Sequence, residues 1–184
     1  MWHSLLMSAA VIAVAALVLL AMGRTPISKS GYVLPWNGTV NSPENSQHIS
    51  DWYSFSHIIH GMAFYALFRL ISRRRWPVGV CLVAAVLLEA SWEIFENTSF
   101  TIERYRTATI ALSYYGDSVL NSVCDILFCV AGFFMASYMR VWMAIALVVA
   151  MEVGVALMIR DNLLLNIVMF IYPMEWIKAW QSGA

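Results

Sequence analysis

The sequence predicts an all-α, polytopic transmembrane helix bundle of five to six spans, with a polar cluster in its outer half. Three observations carry that prediction. Of 184 residues, 61% are hydrophobic and 12% charged, and the mean hydropathy is +0.70; a soluble domain carries about a quarter charged residues and less than about half apolar ones. The apolar residues fall in runs of about twenty, the length at which a helix crosses ~30 Å of hydrocarbon. Ionisable side chains sit inside those runs, foremost in Ser56-His57-Ile58-Ile59-His60-Gly61. The whole chain, 1–184, reads as one integral-membrane domain. Its formal net charge is zero, which argues against nucleic acid as a partner. Cys81, Cys124 and Cys129 lie within apolar runs and read as small core residues, not as a disulfide framework.

The first run, about Ser4 to Met22, is uniformly apolar and ends at Gly23-Arg24. It lacks the basic start of a signal peptide, so a retained anchor and packing helix is expected. An outer loop, 24–51, follows. Pro26, Gly31, Pro35, Gly38 and Pro43 break it, and Tyr32, Trp36 and Trp52 suit the lipid interface. Asn37-Gly38-Thr39 matches a glycosylation acceptor, a short motif given no weight on its own.

The second span, about Trp52 to Ser72, runs straight into Arg73-Arg74-Arg75. By the positive-inside rule that short loop is cytoplasmic. The N-terminus is then cytoplasmic, and the segments 24–51 and 97–116 face the periplasm. The third span is about Trp76 to Glu96, the fourth Asp117 to Met139 behind a Gly116 loop end, and the fifth Val141 to Ile159. Residues 162–180, interrupted by Pro173, form either a kinked sixth span or an interfacial helix. No internal repeat is visible.

At 1.5 Å per residue, this topology puts the buried ionisable groups at matched depth. His57 and His60 lie roughly 7–12 Å below the outer end of their span, and Glu89 about 10 Å below that of the third. Glu93 and Glu96 approach the same end. Asp117, Asn121 and Asp125 recur every four residues as one stripe, and Glu152 falls about 10 Å below the outer end of the fifth span. Arg69 is near the cytoplasmic end and can snorkel.

A lone charge at a helix centre costs about 2.5–3.5 kcal/mol on the lenient insertion scale. Several carboxylates together therefore require protonation, pairing or a metal. Nitrogen and oxygen donors without thiolate suit zinc, iron or manganese as a divalent cofactor. His57, His60 and Glu93, with Asp125 or Glu96, are the expected ligands. Asp117 or Glu89 is the expected general base. Arg104, Arg106, Tyr114 and Asn121 are expected to orient an anionic headgroup of a membrane lipid.

Blander readings stand beside these. A histidine pair can be a hydrogen-bonded packing feature. Glu96 and Asp117 lie near span ends, where they can be solvated, and Asp117 also suits a helix N-terminus. Arg104 and Arg106 can touch headgroups or pair with the same carboxylates. Trp92, Phe95, Phe133 and Phe134 read as core or lipid-facing residues.

Several motifs resemble those of an uncharacterised family of bacterial inner-membrane proteins, a domain of unknown function. They are the run Ser50-Asp51-Trp52-Tyr53-Ser54-Phe55-Ser56-His57-Ile58-Ile59-His60-Gly61, then Trp92-Glu93-Ile94-Phe95-Glu96-Asn97 and Arg104-Tyr105-Arg106, and finally Tyr114-Tyr115-Gly116-Asp117-Ser118 leading to Asn121-Ser122 and Asp125. The resemblance covers about Gln47 to Asn166 and implies an inner-membrane location, with no assigned chemistry. More distantly, a His, an acidic helix and then Asp117-x-x-x-Asn121 is similar to VanZ-like membrane proteins. Ser54 stands where those carry Lys, and Gly132 comes later than their glycine. By analogy this points to cell-envelope lipids or lipid-linked intermediates.

The preferred expectation is an intramembrane, metal-dependent hydrolase or transferase acting at the outer leaflet. A metal-free alternative uses Asp117 and Asp125 as an acid–base pair, although eight residues on one helix separate them too far to share a proton. A third reading is non-enzymatic: an accessory subunit with a membrane-protein partner, or a small ion or proton carrier. A haem held by His57 and a second histidine has no supporting motif.

Overall fold

Two glycines set the centre of the bundle. A Cβ on Gly61 would strike the Cys129 carbonyl oxygen, and one on Gly132 would strike that of Ile58. The helices α2 (Ser54–Ile71) and α5 (Val119–Tyr138) therefore cross backbone to backbone, and theirs is the most extensive helix pairing in the chain. Small residues at such a crossing are the usual means of close packing where no hydrophobic force separates helix from lipid.

The computed structural model describes residues 1–109 and 111–183. Around the central pair lie α1 (Trp2–Ala21), α3 (Val78–Glu96), the short α4 (Ser99–Ala108), α6 (Val141–Ile159), α7 (Leu163–Ile171) and α8 (Glu175–Ser182). A core of Cys81, Leu82, Ala85, Val86, Ile126 and Phe133 joins α3 to α5, and Ala15 of α1 closes it. Close approach of α1 to α3 depends on Gly79, where a Cβ would meet the Ser4 hydroxyl. The outer faces of α1 and α6 stay apolar and open: Leu17 is 65% exposed and Leu157 79%. Such continuous apolar surface is what lipid covers and water does not tolerate.

Among the described residues four helices, α1, α3, α5 and α6, are long and apolar enough to cross a membrane. This is fewer than the five to six spans expected. The polar side chains His57, His60 and Arg69 lower the apolarity of α2, which is nonetheless packed against α3, α5 and α6. Residues 162–180 are broken at Pro173 into α7 and α8, of 9 and 8 residues. At 1.5 Å per residue each reaches less than half of ~30 Å, so neither spans alone. The expected open loop at 97–116 contains α4, started by the Thr98 side chain accepting from the Thr101 amide. The fourth span begins at Val119, not Asp117, because the Ser118 hydroxyl caps it by accepting from the Asn121 amide.

The segment 24–53 folds over one end of the bundle. The first amides of α5 find partners there: Val119 donates to the Thr25 carbonyl and Leu120 to that of Pro26. Gln47 and His48 are buried, with the Ser118 hydroxyl on the Gln47 carbonyl and the Asn121 amide on that of His48. Asp51 starts α2 by accepting from the Tyr53 amide at 2.8 Å. Pro-rich sequence thus becomes an ordered cap, since every orphan amide it meets needs an acceptor.

The glycine crossing is testable. Gly61→Leu is expected to lower the thermal unfolding midpoint of the detergent-purified protein, with a cost of about 1–3 kcal/mol or more from overpacking. An unchanged midpoint would show that α2 and α5 are not in contact there.

Candidate functional site

Three helices deliver acidic and imidazole groups to the end of the bundle opposite Arg73-Arg74-Arg75. His57 and His60 stand in the first turns of α2, Glu89, Glu93 and Glu96 in the last turns of α3, and Asn121 and Asp125 in the first turns of α5. The antiparallel run of α3 against α2 brings these ends together.

The His57 Nδ1 lies 2.6 Å from Glu89 Oε1, and the His60 Nδ1 lies 3.1 Å from both Glu89 oxygens. Glu89 thus joins the two histidines. In the neutral tautomer that donates Nδ1–H to Glu89, Nε2 keeps its lone pair. It faces Asp125 Oδ2 at 3.8 Å. A histidine oriented by a carboxylate behind it and presenting its other nitrogen forward is the usual arrangement of a metal ligand.

Glu93 is the anomaly of the site. It is 0% exposed, and among the described residues neither of its carboxylate oxygens has a hydrogen-bond partner. The His57 Nδ1 lies 3.4 Å from its Oε1. An unpartnered buried carboxylate costs several kcal/mol unless it takes up a proton or a cation. Three sets of donors lie with their ligating atoms within 4.8 Å of one another: His57, His60 and Glu89; His57, Glu93 and Asp125; and Glu93, Glu96 and Asp117.

The expected ligand set is therefore divided: His60 groups with Glu89, while Glu93 groups with His57 and Asp125 or with Glu96 and Asp117. A small open cavity adjoins them and is lined by His57, His60, Trp92, Glu96, Tyr114 and Asp117 among others. The Asp117 carboxylate accepts from the Tyr114 hydroxyl at 2.9 Å and from the Asn97 amide at 3.0 Å. Burial pushes Asp117 up to about 6, against the pull of those two hydrogen bonds.

Other expected residues serve elsewhere. Arg104 donates to the Phe170 and Ile171 carbonyls and Arg106 to that of Leu112, so these contacts hold α4 to α7 and close the following turn. Neither lines the cavity. Asn121 is buried on the His48 carbonyl, where it fastens the 24–53 cap. Glu152 accepts from the Leu163 and Leu164 amides at 3.1 Å each, so it caps α7 and stands apart from the cluster.

Two participants, Asn97 and Tyr53, were missed from sequence. Asn97, 1% exposed, donates to the Glu93 carbonyl and accepts from the Asp117 amide, tying the end of α3 to the start of α5. Its signal was an amide directly behind the last acid of the third span. Tyr53 donates to Asp161 at 3.0 Å across the mouth, and both line the cavity. No local pattern marks that pair, which is 108 residues apart.

The family model for proteins of unknown function (DUF2585) matches residues 19–183. The chain belongs to this family. Its similar relatives include UPF0314 proteins of Sphingopyxis alaskensis, 52% identical over 97% of this chain and 94% of the relative, and of Rhizobium etli, 52% identical over 88% and 83%. That of Sinorhizobium fredii is 48% identical over 99% and 92%. No solved structure matches. For DUF2585, then, similarity supplies a family and no chemistry, and the chemistry must come from the site.

Asp161 gives the site a pH dependence. It accepts from Tyr53, Asn166 and Gln181 and from the Asn162 amide, yet burial pushes it up to about 6. The folded state thus binds this proton more tightly than the unfolded chain, in which an Asp titrates near ~3.9. Its carboxylate disfavours folding above its folded value, and that penalty is relieved as pH falls through it. Thermal stability is expected to rise between about pH 7 and pH 5, and Asp161→Asn to flatten its share of the rise. An identical slope in both proteins would overturn this assignment.

Proposed function

We propose that this protein is an intramembrane, metal-dependent hydrolase or transferase of the bacterial inner membrane, acting on a lipid or lipid-linked envelope substrate from the periplasmic side. The single observation behind the reading is Glu93, fully buried with both oxygens unpartnered between His57 and Asp125, beside an open cavity. Arg73-Arg74-Arg75 at the far end supports the orientation, since basic loops stay cytoplasmic. It also supports α2 as a fifth span.

In this reading His57, Glu93 and Asp125 hold a divalent cation such as zinc, iron or manganese. The ion would supply Lewis acidity and a water of lowered pKa. Glu89 orients His57 through the 2.6 Å contact, and Asp117, held by Tyr114 and Asn97, is placed to take a proton from a group in the cavity. The cavity would accept the polar headgroup while the acyl chains stay in lipid. The likeness to VanZ-like proteins suggests envelope lipids by analogy alone.

A non-catalytic reading has one observation in its favour. The contacts of Glu89 with both histidines already satisfy that carboxylate without any ion. An accessory subunit with a structural His–Glu cluster would look so around α2, although this leaves Glu93 unexplained.

Elemental analysis of detergent-purified protein beside a His57→Ala/His60→Ala variant decides between them. At least one transition metal per chain, lost in a variant of native circular dichroism, is the expected result. No metal in wild type would end the metalloenzyme reading.

A further inference from the structure

The acidic groups outnumber the bases that face them. Glu89, Glu93, Glu96, Asp117 and Asp125 meet only two imidazoles, His57 and His60. Among the described residues no lysine or arginine pairs with any of the five.

Two of the donor sets overlap. The sets His57, Glu93, Asp125 and Glu93, Glu96, Asp117 share one residue, and each set keeps its donor atoms within 4.8 Å. Glu93 has two oxygens to give, and both are buried without a hydrogen-bond partner. Paired metals bridged in this way typically sit ~3.5–4 Å apart.

We infer that Glu93 bridges two divalent cations, one held with His57 and Asp125 and the other with Glu96 and Asp117. The inference rests on the metal reading above and deepens it, with Asp117 holding the second cation in place of the general-base role given to it there. The two positions differ in chemistry. The first includes an imidazole and suits zinc, iron or manganese, whereas the second is all oxygen and suits magnesium or manganese. Tyr114 and Asn97 each donate to one oxygen of Asp117, which leaves each oxygen a further lone pair and fixes the direction in which the carboxylate points. Glu96 and Asp117 line the cavity wall, so the oxygen-only ion faces the space a substrate would enter. A pair of cations so placed suits a phosphate-bearing headgroup, whose oxygens can contact both.

The test is reconstitution of metal-stripped, detergent-purified full-length protein with manganese alone, followed by elemental analysis and electron paramagnetic resonance. Two manganese per chain with an exchange-coupled spectrum are expected. Glu96→Gln/Asp117→Asn is expected to halve the content and leave an uncoupled signal, and Glu93→Gln to abolish the coupling. One uncoupled manganese per wild-type chain would overturn the bridge and leave the metal reading standing. No bound manganese, with no other metal found in the protein as isolated, would overturn both. The wild-type spectrum decides the matter even if a variant fails to fold.

Discussion

A carboxylate deep between helices must find a proton, a donor or a cation, and the arrangement around Glu93 follows from that constraint. Its side chain is closed off by α2, α3 and α5, and no described group donates to it. Other acids near it are answered locally: Glu89 by two histidines, Asp117 by Tyr114 and Asn97, Asp161 by four donors. Among the described residues, Glu93 is the carboxylate with both oxygens buried and without a hydrogen-bond partner.

The scaffold makes this possible by backbone contact. Gly61 and Gly132 let α2 and α5 approach until His57 faces Asp125. The opposite end carries Arg73, Arg74 and Arg75 and no acidic side chain among the described residues, so charge is segregated along the bundle axis. The cap from 24 to 53 then seals the polar end, taking up the first amides of α5 and burying Gln47 and His48. α4, α7 and Asp161 complete a mouth whose parts come from distant stretches of chain. Loops on a rigid helical frame are where such a mouth is expected to differ in mobility from its floor.

Much of this was legible in the sequence, for definable reasons. Apolar run length located α1, α3, α5 and α6, and the depth arithmetic brought His57, Glu89, Glu93 and Asp125 to the outer half of the bundle. Depth is a one-dimensional quantity, however, and fixes no azimuth. It could not assign Glu89 to both histidines, nor separate Glu152, which turns toward the start of α7. Arg104 and Arg106 were drawn to the site by charge alone, whereas unpaired carbonyls of α7 and the turn after α4 claimed them. The cap at 24–53 was illegible because Pro and Gly mark where regular structure stops and say nothing of which orphan amides the irregular backbone will meet.

The central claim is that Glu93 is held by a cation, and anomalous scattering tests it most directly. A structure of the protein purified without chelator, with data collected at the edge of the metal found by elemental analysis, should show an anomalous peak within bonding distance of Glu93 and between His57 and Asp125. A map empty there, with Glu93 hydrogen-bonded to an ordered water or a neighbouring carboxyl, would contradict the account.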